Sequence, residues 1–113
     1  MRIKPGADCR GLADAITTKL FIIEQCHRYV AGEHGPPLVI TCGTDNHADR
    51  PGSLHPAGLA IDIRTRHLTF EQVEQLAADL CRYLDADYDV VIETDHLHLE
   101  YDPEEAGDGT PES

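Results

Sequence analysis

Leu59-Ala60-Ile61-Asp62-Ile63-Arg64 is the stretch on which the reading of this chain turns. In an extended strand, Leu59, Ile61 and Ile63 fall on one side and Ala60, Asp62 and Arg64 on the other. One side suits a core. The other holds a carboxylate between aliphatic neighbours, which is expensive to bury unless a cation or a metal partners it. Arg64 or Arg66 is the ordinary candidate partner, and a bound metal is the functional one.

Working outward, Leu38-Val39-Ile40-Thr41-Cys42 is short, rich in β-branched residues and preceded by Gly35-Pro36-Pro37, so it reads as a buried strand. Before it, Leu12, Ile16, Leu20, Ile23, His27 and Val30 recur at intervals of three and four, which predicts one helix over about 12–30. Residues 1–10 read as an irregular lead-in. After Arg64, Thr69-Phe70-Glu71-Gln72 has the form of a capping box. It opens a second helix with Val73, Leu76, Ala77, Leu80 and Leu84 facing inward. Tyr88–Glu93 and His96–Tyr101 read as two further strands around a turn at Thr94-Asp95, with His96, His98 and Glu100 on one face of the last. The expected fold is therefore α+β: one small domain with a largely antiparallel sheet and two packing helices.

The composition narrows the function. The chain has 113 residues with 9 Lys and Arg against 21 Asp and Glu, a formal charge of −12 that disfavours nucleic acid as a partner. Asp102, Glu104, Glu105, Asp108 and Glu112 carry part of that excess in a stretch without apolar periodicity, so residues 103–113 are expected to form a disordered acidic tail behind a domain at 1–102. The apolar runs are too short for a membrane span. No apolar stretch follows the first basic residues, so synthesis without a secretory signal is expected. Cys9, Cys26, Cys42 and Cys81 form no Cys-x-x-Cys pair, which points to reduced thiols rather than a zinc ribbon. No P-loop, Gly-x-Ser-x-Gly, His-Glu-x-x-His or deaminase pattern occurs.

Seven histidines remain to be explained. His55 lies in the Gly- and Pro-rich run 43–58, Asp62 follows seven residues later, and Asp95-His96-Leu97-His98 closes the second strand pair. Two imidazoles and one carboxylate, with no thiolate, suit a hydrolytic zinc site that keeps one position for water.

Ser53-Leu54-His55-Pro56-Ala57-Gly58-Leu59-Ala60-Ile61-Asp62 resembles the Ser-x-His-x-x-Gly-x-Ala-x-Asp motif of the zinc D-alanyl-D-alanine carboxypeptidase family. That family includes phage L-alanyl-D-glutamate endopeptidases and shares its fold with the Hedgehog signalling domain. Asp95-x-x-His98 is similar to its second motif, and the two together span roughly residues 38–101. The resemblance implies Zn²⁺ on His55, Asp62 and His98, Asp95 as general base, and hydrolysis of a peptide bond in peptidoglycan stem peptides. It also implies that Gly58 and Ala60 pack closely around the metal. An enzyme of this kind without a signal fits a phage or prophage protein acting at the host cell wall after release.

Two features test this expectation. An unbroken strand would place Asp95 on the side opposite His98, so the turn at Thr94-Asp95 has to reorient it. Family members commonly carry an Arg after the strand preceding the first motif, where this chain has Asp45; His47 and Arg50 are the nearby substitutes for that positive catalytic group. The alternative is a zinc-binding phage structural or binding protein of the same fold with weak or no activity.

Overall fold

A computed structural model describes residues 1–43 and 57–103. The elements run β1 (Arg2–Ile3), α1 (Asp14–Thr17), α2 (Leu20–Ala31), β2 (Val39–Cys42), β3 (Ala60–Arg64), α3 (Phe70–Tyr83), β4 (Tyr88–Ile92) and β5 (His96–Tyr101). The strands form one sheet in the order β1-β2-β3-β5-β4, parallel only between β1 and β2. The α+β class with a mostly antiparallel sheet and two main helices is as expected from the alternation and the helical periodicity.

The first helix departs from expectation. The stretch predicted as one helix breaks at Thr18-Lys19 into the single turn α1 and the longer α2. The Thr18 hydroxyl donates to the Asp14 carbonyl at 2.6 Å, a local bond that satisfies the end of α1 and competes with helix continuation. The periodicity still delivers its core face, because Ile16, Ile23 and His27 are buried and Leu12, Leu20 and Val30 pack against the core. The lead-in also holds a strand: the Arg2 amide donates to the Leu38 carbonyl at 2.7 Å and the Lys4 amide to the Ile40 carbonyl at 2.9 Å.

In α3 the capping box forms as read. The Thr69 hydroxyl accepts from the Gln72 amide at 3.1 Å, and the Gln72 side chain accepts from the Thr69 amide at 2.8 Å. The other end of the same Gln72 amide group donates to the Val30 carbonyl at 3.0 Å, fastening α3 to the end of α2. Val73, Leu76, Leu80 and Leu84 are buried against Ile61, Ile63, Leu97 and Leu99 of the sheet. At roughly 25 cal/mol per Å² of apolar surface removed from water, such side chains dominate the stability of a domain this small.

Two local features shape the opposite face of the sheet. Ile40 pairs with Ile63 but Cys42 pairs with Asp62, so a bulge at Thr41 turns Cys42 to the side that carries Asp62. Gly58, at φ +78°, carries its backbone against the segment before α1, where the Ala13 amide donates to its carbonyl at 2.9 Å. A β-carbon there would stand 2.3 Å from the Gly11 carbonyl oxygen. Its need for glycine is thus explained by contact with that segment. Among the described residues no helix is long and apolar enough to cross a membrane. The expected acidic tail lies, from residue 104 on, outside the described residues.

Candidate metal-binding cleft

β3 and β5 set the site through register. Asp62 is opposite His98, Arg64 is opposite His96 and Ala60 is opposite Glu100. Alternation puts all six on the face turned away from the helices.

Asp62 is 7% exposed and does not pair with Arg64 or Arg66. Its Oδ1 lies 2.9 Å from His98 Nδ1, and its Oδ2 lies 3.7 Å from His96 Nε2. The far nitrogen of His98, Nε2, lies 2.7 Å from Glu100 Oε1. His98 is thereby flanked by two carboxylates. The Asp62 hydrogen bond, with that of Glu100, raises the imidazole above its ordinary pKa against the opposing effect of burial.

Asp95 reaches the same face by way of the turn. The Glu93 amide donates to the His96 carbonyl at 2.9 Å, closing the β4–β5 connection, and the Thr65 amide donates to the Asp95 carbonyl at 3.3 Å. The Asp95 carboxylate then meets His96 Nδ1 at 2.9 Å. The hydrogen bond to His96 holds the exposed Asp95 carboxyl below the usual carboxylate range. The parity conflict noted in the sequence is resolved here, because Asp95 belongs to the turn and not to the strand. The result is an alternating series of carboxylate and imidazole: Glu100, His98, Asp62, His96, Asp95.

Asp62, His96 and Asp95 line an open cleft of about 440 Å³ together with Thr41 and Cys42 from the bulge and with Lys4, Arg64 and Arg66. The cleft therefore holds cations from the residue after β1, from β3 and from the turn after β3. His55, His47 and Arg50 lie outside the described residues. Of the expected ligands, Asp62 and His98 come together across the β3–β5 pair. Glu100 was not assigned a role from sequence, although its shared face with His96 and His98 was the signal that placed it here. The contribution of Lys4 had no sequence signal, since it depends on the pairing of β1.

The donor chemistry suits a divalent cation. A carboxylate oxygen and an imidazole nitrogen stand 2.9 Å apart, and the carboxylate on the far nitrogen holds the orientation of the ring, a type of support common to metal-bound histidines. Among the described residues, the one group of three ligand-type side chains close enough to share an ion is Asp89, Glu100 and Asp102, and acidic groups commonly approach one another without one. Comparison with known proteins gives no match: no family model, curated protein or solved structure aligns with the chain.

Proposed function

We propose that this chain is a zinc-dependent peptidase that hydrolyses a bond in the stem peptides of peptidoglycan, as a D-Ala-D-Ala carboxypeptidase or an L-Ala-D-Glu endopeptidase. The observation that carries the reading is the partly buried Asp62–His98 pair, in register across β3 and β5 and backed by Glu100, beside the cleft that Asp62 and Asp95 line. Asp62 and His98 would hold Zn²⁺ together with His55. When bound, the ion supplies a water of lowered pKa and polarises the scissile carbonyl.

The remaining steps belong to side chains of the chain. Asp95 takes the proton from the attacking water and delivers it to the leaving amine. His96, bonded to Asp95, fixes the orientation of that carboxylate and shares its charge. Arg64 and Arg66 provide positive charge beside the developing oxyanion, a function that His47 and Arg50 were expected to serve from the sequence. Glu100 keeps the His98 ring turned toward Asp62. A phage or prophage protein released to act at the host wall remains the setting that this activity suits.

The test combines metal analysis of the purified chain with mass spectrometry of fragments released from purified peptidoglycan. One equivalent of zinc and release of stem-peptide fragments are expected. Asp95→Ala is expected to keep its zinc and lose about 10²–10⁴-fold in turnover. Unchanged turnover in that variant, with zinc retained, refutes the mechanism, and absence of cleavage by the parent chain leaves a metal-binding protein of the same architecture.

A further inference from the structure

A chain with 9 Lys and Arg against 21 Asp and Glu has few cations to distribute. Four of them, Arg2, Lys4, Arg64 and Arg66, line a single groove of about 310 Å³ along β1 and the end of β3. Among the described residues no carboxylate lines that groove, and its remaining walls are largely apolar, with Ile3, Pro36 and Pro37 among them. None of the four cations forms an ion pair with a described residue. Like charges gathered without counter-charges repel one another, and an arriving anion relieves that repulsion. His67 shares the wall, and burial followed by the charges of Arg64 and Arg66 holds its imidazole below the ordinary value. The potential in the groove is thus positive in a protein that is acidic as a whole.

The groove also follows a sheet edge. β1 is the outermost strand, and the amides of Arg2 and Lys4 are spent on β2, so Ile3 directs its backbone groups outward. An extended peptide can pair with such an edge while Arg2 and Lys4, two residues apart, present their side chains on one side of it. A dense polyanion such as nucleic acid would meet the repulsion of the remaining surface, whereas a short peptide with a few carboxylates meets only the groove.

We propose that this groove binds an acidic peptide through its carboxylates, and that Lys4, Arg64 and Arg66, which line both spaces, make it continuous with the cleft at Asp62. The groove as an extended subsite for substrate rests on the peptidase reading; its affinity for acidic peptides does not. The cleft thereby gains a preference for substrates with carboxylates on one side of the bond that is cut.

The experiment is fluorescence anisotropy on the full chain with labelled acetyl-tetraglutamate amide and, as control, acetyl-tetraglutamine amide, with and without EDTA. The glutamate peptide is expected to bind at least about tenfold more tightly, to weaken as salt is raised, and to be indifferent to EDTA. The double variant Arg2→Gln/Lys4→Gln, whose β1 backbone bonds need no side chain, is expected to weaken it about tenfold. Should that variant melt early, Arg66→Gln in the exposed turn replaces it. Equal affinity for the two peptides, unchanged binding by the variants, or displacement by inorganic pyrophosphate at lower concentration than by unlabelled glutamate peptide overturns the proposal. Peptidoglycan hydrolysis, measured in parallel, separates the two ideas: cleavage without peptide binding removes only the groove, and binding without cleavage removes only the peptidase.

Discussion

Glu100 meets the Nε2 of His98 at 2.7 Å and so determines which nitrogen of that ring faces Asp62. Replacing Glu100 by Gln leaves a group that can still accept from Nε2 but carries no charge, and replacing it by Ala leaves the nitrogen to solvent. Zinc affinity is expected to fall about 10–100-fold in Glu100→Ala and less in Glu100→Gln. Competition titration with a chromophoric chelator measures both, and equal affinity across the three proteins would show that Glu100 does not support the site.

Gly58 occupies a left-handed conformation at φ +78° against the Gly11 carbonyl. Gly58→Ala faces both a strained backbone and a contact with main-chain atoms that cannot swing aside. A loss of at least about 2 kcal/mol in urea unfolding is expected. A change within experimental error would mean that the segment before α1 yields freely.

His27 and His67 place their Nε2 atoms 2.9 Å apart, so one must donate and the other accept. Burial, with the neighbouring His67, holds the His27 pKa down at about 4, against an ordinary 6.5. Between those values the unfolded chain binds more protons than the folded one, so stability falls as pH drops from 6.5 toward 4 and is level above it. Urea midpoints across this window should register about 1–3 kcal/mol of loss, and His27→Gln should remove most of the slope. An unchanged slope in that variant assigns the pH dependence to other groups.

Gln72 makes two attachments and Thr69 one in the cap of α3. Thr69→Ala should cost about 1 kcal/mol, and Gln72→Ala should cost more because it also releases the Val30 carbonyl at the end of α2. Equal losses in thermal melts would show that the bond between the two helices contributes nothing to stability.

The strand at Leu59–Arg64 was legible because its apolar side and its polar side are both explicit in the alternation, and the capping box marked α3 to the residue. The break at Thr18 was not legible, since the apolar interval of four from Ile16 to Leu20 runs through it undisturbed. Nor was β1, whose two residues are strand only because β2 lies beside them. At the site, alternation placed His96, His98 and Glu100 on one face and the resemblance of the two motifs singled out Asp62 and His98, but the cations of the cleft were not legible. Arg64 was visible only as a candidate partner for Asp62, and the distance that separates the roles of Arg2 and Lys4 from it in sequence vanishes only through the sheet.

The bulge at Thr41 gives β2 two phases within four residues. Upstream of it the strand is read from the helical side, where Ile40 is buried; downstream the count is displaced by one, and Cys42 stands beside Asp62. Deleting Thr41 would restore a single phase and leave Cys42 directly opposite Asp62, still on the side of the cleft. The extra residue therefore crowds the cleft: Thr41 and Cys42 both stand across from Asp62 on a stretch of β2 where a regular strand would bring one side chain to that wall.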